Sequence, residues 1–168
     1  PAMILMHPSP ISSEALLPAM SVFSKQFTCI ALDTPGYGLS DDSVTEKEDL
    51  WGYADAVVHV LDAFKLESAV IYGAATGAQI GTQFARRFPK RTRLLMLDGA
   101  GHFTDEERDT FSNGYFVDLT PRRDGTHLLA AWDSSRHLSV FFPWMSSRLE
   151  DRIQSGPAPI NSVQDHVN

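Results

Sequence analysis

The sequence predicts an α/β fold, a parallel sheet with helices on both faces, followed by a helical segment. Three observations predict it. Short apolar runs recur at residues 3–6, 27–32, 69–72 and 92–97, and continuous apolar character marks strands buried on both faces, the habit of parallel sheets. Between them the apolar spacing changes to a helical period, most clearly over 47–64. Strands alternating with helices imply parallel pairing through right-handed crossovers.

Met3-Ile4-Leu5-Met6 ends at His7-Pro8-Ser9-Pro10, where prolines force the chain out of regular structure. A helix is expected from about Pro18, since proline is tolerated in a first helical turn, with Ala19, Val22 and Phe23 toward the sheet. The second strand, 27–32, is halted at Asp33-Thr34-Pro35-Gly36-Tyr37-Gly38. From Lys47 to Phe64, residues Leu50, Ala54, Val57, Val58 and Leu61 fall on one stripe. The third strand ends at Gly73-Ala74-Ala75-Thr76-Gly77, and an amphipathic segment follows with Gly77, Ile80, Gly81, Phe84, Ala85 and Phe88 on one face. That pattern reads as strand, sharp turn, helix, with Phe88-Pro89 as the stop. The fourth strand ends at Asp98-Gly99-Ala100-Gly101-His102. Beyond Phe103 no clean buried strand remains; Thr104-Asp105-Glu106-Glu107 reads as a capping box, and helices are expected over 124–132 and 145–153. The expected division is a partial core over 1–102 and an incomplete helical cap over 103–168.

Composition narrows the function classes. With 14 Lys plus Arg against 21 Asp plus Glu, the net charge of -7 without a basic run argues against nucleic acid or anionic membrane as partner. The apolar stretches are far below membrane-spanning length. No charged n-region with an apolar h-region opens the chain. The single cysteine, Cys29, sits in a strand-like run and reads as an inert thiol, which fits a reducing compartment, so a cytoplasmic location is expected. The chain opens within a strand-like run and stops in a polar, helix-like one, so it reads as an internal piece of a longer protein.

Three stretches, in this order, resemble the α/β-hydrolase superfamily. His7-Pro8-Ser9-Pro10 stands where the family has a His-Gly-x-Pro oxyanion loop. Asp33-Thr34-Pro35-Gly36-Tyr37-Gly38-Leu39-Ser40-Asp41 matches the family's D-x-P-G-x-G-x-S-D loop without departure, and Gly73-Ala74-Ala75-Thr76-Gly77 occupies the nucleophile elbow G-x-S-x-G. The resemblance covers about residues 3–102. It implies that the visible strands are the family's third to sixth, in spatial order 4-3-5-6, and that the catalytic histidine and acid follow residue 168. A competing dinucleotide-binding turn needs G-x-G-x-x-G. Gly73, Gly77 and Gly81 are four apart, which instead puts Gly77 and Gly81 on one helix face for close packing.

The resemblance also assigns roles. The oxyanion donors are the backbone N–H groups of Ser9 and Thr76, and Pro8, in place of the usual glycine, removes only its own N–H. Ala75 takes the nucleophile position, and a methyl group cannot attack a carbonyl. Three accounts of Ala75 stand: a natural replacement in a relative with lost or altered chemistry, an introduced Ser-to-Ala change, or a register off by one, which Gly73 and Gly77 argue against. The Thr76 side chain is expected to point away and bond its own backbone. Asp33 is expected to hold its own turn, and Asp98, at a strand end, to cap the next turn or serve as the family's acid. His7 is a candidate substrate-binding residue that shapes the oxyanion loop, and Trp132, Phe141, Phe142 and Trp144 could line a pocket under a cap. His102, His127 and His137 lack metal-ligand spacing, and no metal or cofactor is expected. The function implied is hydrolysis of an ester or carbon–carbon bond in a small, largely apolar substrate. The alternative is a non-catalytic relative that binds a ligand or partner.

Overall fold

Four parallel strands carry the fold: β1 (Ala2–Met6), β2 (Thr28–Leu32), β3 (Ala69–Ala74) and β4 (Thr92–Asp98), side by side in the order β2-β1-β3-β4. A computed structural model describes residues 1–41, 49–106, 108–109 and 118–141, the side chains of 134–141 excepted. The order matches the expected 4-3-5-6. Alternation along β1 explains the helices on both faces. Ile4 and Met6 enter one core with Ala54, Val57, Leu61, Ile71, Ile80 and Phe84, each no more than 1% exposed. Met3 and Leu5 enter the other with Leu16 and Val70. Each such aliphatic side chain contributes about 1.5–3 kcal/mol when fully buried, so the central strands β1 and β3 anchor the unit.

The first helix, α1 (Leu17–Phe23), carries Pro18 in its first turn as expected. Its inward face differs from the expected one, because Val22 is 60% exposed. Phe23 packs against the sheet as expected, with Leu16 and Met20 beside it in place of Val22. A 3-10 turn over Ser13–Leu16 leads straight into α1 and turns Leu16 inward, so the apolar stripe runs from Leu16 rather than from Ala19.

The second helix, α2 (Leu50–Ala63), begins where Asp49 caps it, the Asp49 Oδ1 accepting from the N–H of Trp51 at 3.0 Å and of Gly52 at 2.9 Å. Lys47, the expected start, lies outside the described residues. Ala54, Val57 and Leu61 are buried, with Leu50 and Val58 packed beside them, as the stripe predicted. The third helix, α3 (Thr76–Arg87), buries Gly77, Ala78, Ile80, Gly81 and Phe84. Arg87 clamps α2 to α3: its Nη1 donates to the Trp51 carbonyl at 2.9 Å and lies 2.9 Å from Asp55 Oδ1, and its guanidinium stacks on the Trp51 and Phe88 rings.

The chain divides into two compact units, Pro1–Gly101 and His102–Asn168. In the second, Arg108 N–H donates to the Thr104 carbonyl at 3.0 Å, a helical turn opening where the capping box was expected. A further helix, α4 (Thr126–Phe141), is capped by Asp124, whose Oδ1 accepts from Thr126 N–H at 3.1 Å. It runs nine residues past the expected end at Trp132. The helix expected over 145–153, with Phe142 and Trp144, lies outside the described residues, as do the side chains of His137 and Phe141.

Candidate functional site

The turn between β3 and α3 holds a non-glycine residue at positive φ. Ala75 sits there at φ 46° and ψ -107°, a conformation that costs a non-glycine residue about 1–3 kcal/mol and persists only where surroundings impose it. Here they do. Ala75 N–H donates to the Asp98 carbonyl at the end of β4, 2.8 Å away, and the Ala75 carbonyl accepts from Ala78 N–H at 3.0 Å and Gln79 N–H at 3.2 Å. Glycines on either side let the backbones close up: a Cβ on Gly73 would overlap the Gly77 carbonyl, and one on Gly77 would overlap the Met6 carbonyl.

The His7–Pro10 loop leaves β1 beside this turn. His7, expected as a substrate-binding residue that shapes the oxyanion loop, is 1% exposed with both ring nitrogens engaged inside the protein. Its Nε2 accepts from Thr34 N–H at 3.1 Å, which assigns the ring proton to Nδ1, 2.9 Å from the Pro8 carbonyl. The imidazole therefore ties the loop after β1 to the loop after β2. Ser9 N–H donates to Thr76 Oγ1 at 3.3 Å. The Thr76 hydroxyl thus reaches across to the neighbouring loop, rather than pointing away to its own backbone. Thr76 N–H meets no protein acceptor among the described residues.

Asp33 holds more than its own turn. Its Oδ2 accepts from Leu39 N–H at 3.0 Å and its Oδ1 from Ser13 N–H at 2.7 Å, joining the 33–41 loop to the turn before α1. Gly38, at φ +58°, leaves no room for a Cβ against the Asp33 carboxylate. Burial pushes the Asp33 carboxyl up, but the donors from Leu39 and Ser13 outweigh it and hold it below the usual value. A depressed folded pKa gives stability that is complete above the unfolded value and is lost as pH falls through the folded one. Asp33→Asn is expected to cost about 1–2 kcal/mol near neutral pH. The gap to the parent should begin to close below about pH 4, read from urea midpoints at a series of pH values.

The loop after β1, a glycine-flanked strained turn and a helix start thus converge at the carboxyl ends of β1 and β3, where open α/β sheets bind ligands. The family model described as alpha/beta hydrolase fold matches residues 1–155. The chain belongs to the alpha/beta hydrolase fold family. Among relatives of this family, the 2-(acetamidomethylene)succinate hydrolase of Mesorhizobium japonicum is 32% identical over 112 residues, 65% of this chain and 39% of that protein. The 2-hydroxymuconate semialdehyde hydrolase of Pseudomonas sp. strain CF600 is 35% identical over 83 residues, 48% of this chain and 29% of that protein. The solved 2-hydroxy-6-oxo-6-phenylhexa-2,4-dienoate hydrolase of Rhodococcus sp. strain RHA1 superposes with a TM-score of 0.67 at 15% identity, covering all of this chain and 58% of that one; this likeness shows the fold. The chain spans 39% or less of the curated relatives it matches.

Within this α/β-hydrolase unit, Asp98 joins β4 to β3 and to the elbow. Its Oδ2 accepts from Tyr72 Oη at 2.7 Å, and its backbone carbonyl takes Ala75 N–H. Burial, reinforced by the Asp98 carboxylate, pushes the Tyr72 phenol up to about 12. Gln79 Nε2 donates to the Gly101 carbonyl and holds the loop after β4 against α3. Trp132 lies on α4 in the second unit, 42% exposed. His127 Nδ1 accepts from Arg122 N–H at 3.1 Å, a bond within that unit. Among the described residues no group of three or more His, Cys, Asp or Glu comes together as a metal site, and no helix is long and apolar enough to cross a membrane.

Two of the contacts that escaped the sequence lie beside the elbow. The Tyr72–Asp98 pair was foreshadowed only by both residues falling near the ends of strands predicted to be neighbours. The Thr76–Ser9 contact spans 67 positions, and no local pattern announces it.

Proposed function

We propose that this chain is the core portion of an α/β-hydrolase-fold protein that binds a small, largely apolar molecule through a carbonyl or carboxylate oxygen and does not form an acyl-enzyme. The observation that carries this reading is Ala75, whose methyl group stands at the strained turn where the fold presents its nucleophile. Backbone donors do not depend on side-chain identity, so the Ser9 and Thr76 N–H groups can serve as an oxyanion pair when the nucleophile is lost. The helix start at Thr76 adds a partial positive charge that favours an oxygen ligand there. Two relatives named as a 2-(acetamidomethylene)succinate hydrolase and a 2-hydroxymuconate semialdehyde hydrolase support a small molecule that offers a carbonyl or carboxylate oxygen.

An unaltered hydrolase is the competing reading, and turnover separates the two. The full-length protein is expected to hydrolyse none of a panel of p-nitrophenyl esters above the buffer rate, while the same esters protect it thermally in a saturable way. Hydrolysis that scales with protein concentration and survives repurification would sink the binding-only reading.

A further inference from the structure

The Ser9 N–H, one of the two donors assigned to a ligand oxygen, is not free. It points at Thr76 Oγ1, 3.3 Å away, slightly beyond the usual N–H···O range of about 2.7–3.2 Å. Both residues are half-buried, and Ala75, next to Thr76 in the chain, offers only a methyl group. The only polar side chain of residues 73–77 thus lies against the loop donor, and Thr76 N–H beside it meets no protein acceptor among the described residues. We propose that the Thr76 hydroxyl is a built-in plug of this site: it takes the place of a ligand oxygen on Ser9 N–H, and a ligand binds only by displacing it. This rests on the reading of the elbow as a ligand site.

The physical consequence is a threshold. Displacement exchanges one neutral hydrogen bond for another, so a neutral carbonyl gains little from Ser9. A carboxylate makes charge-assisted bonds roughly twice as strong as neutral ones, and it also meets the partial positive charge at the start of α3. The plug weakens every oxygen ligand by the same factor. Carboxylates clear the threshold with most to spare, and the structure therefore points to small carboxylates as the ligand class.

Sodium butyrate serves as probe on the full-length protein, compared with its Thr76→Val and Thr76→Ser variants by amide NMR. Valine keeps the shape and removes the hydroxyl; serine keeps the hydroxyl. In the ligand-free state Thr76→Val should move the Ser9 amide resonance and speed its hydrogen exchange, and Thr76→Ser should do neither. Butyrate should then bind Thr76→Val about threefold to tenfold more tightly than the parent, the equivalent of one modest hydrogen bond, with Thr76→Ser close to the parent. An unmoved Ser9 amide in Thr76→Val overturns the plug, as does equal or weaker butyrate binding by that variant. Binding to none of the three forms overturns the ligand-site reading and the proposal with it. That failure is told apart from the others because the Ser9 amide still responds to Thr76→Val.

Discussion

Gly77→Ala is expected to destabilise the protein by about 3 kcal/mol or more, well beyond an ordinary surface change. The added Cβ would meet the carbonyl carbon and oxygen of Met6 and its Cβ. These are mostly backbone atoms, and they cannot step aside. Met6 pairs with Leu32 on one side and Gly73 on the other, so moving it breaks both ladders of the central strand. Gly81→Ala is the internal control. Its Cβ would meet only side-chain ends, Ile71 Cγ2, Leu95 Cδ1 and Met6 Cε, each at 3.3 Å. That crowding is set against the roughly 1 kcal/mol that alanine gains over glycine inside a helix, so the net change should stay within about 1 kcal/mol. Urea midpoints of the two variants decide the matter. Equal losses would mean that the close approach of α3 to β1 does not hold the turn in place.

Ala75→Ser is expected to turn the full-length protein into an esterase, raising p-nitrophenyl butyrate hydrolysis about a hundredfold or more above the parent. A nucleophile acting with its base contributes several orders of magnitude when intact, and an unpractised triad recovers only part of it. The turn is already shaped for the new side chain, because Ala75 holds φ 46° without glycine. Serine needs no backbone change there, and its Oγ would project where the methyl projects now. The reaction needs a histidine and an acid that family resemblance places after residue 168. No gain, in a variant that folds and keeps that histidine within reach, would refute the account of a hydrolase scaffold that lost its nucleophile.

The fold was largely legible because its signals are local or periodic. The apolar runs of β1 and β3 announced buried central strands, and the stripe from Leu50 to Leu61 announced α2. The spacing of Gly73, Gly77 and Gly81 distinguished close helix–sheet packing from a phosphate cradle, and the predicted contacts at Gly77 are there. Errors arose where tertiary context chose among equivalent faces. Val22 and Leu16 are both apolar, and only the 3-10 turn over Ser13–Leu16 decides that Leu16 goes in and Val22 out. The site was legible as backbone shape and less so as side-chain chemistry. The strained Ala75 and the Asp33 loop follow from motifs, whereas three polar contacts at the strand ends join residues far apart in the chain. These are Thr76 with Ser9, Tyr72 with Asp98, and His7 with Thr34. His7 illustrates the difference: its place in the loop motif marked it as shaping that loop, but its partner Thr34, 27 positions away, was not announced.

The central claim, that the elbow holds a ligand site without a nucleophile, is tested most directly by covalent labelling. The full-length protein and Ala75→Ser are incubated with an alkyl fluorophosphonate, which reacts with activated hydroxyl nucleophiles, and the peptide spanning 69–87 is weighed by mass spectrometry. The account predicts no adduct on this peptide in the parent and one adduct at position 75 in the variant. An adduct on Thr76 in the parent, formed as fast as in the variant, would contradict it: the elbow would then hold a working nucleophile one residue along, and the Thr76 hydroxyl would be reagent rather than plug.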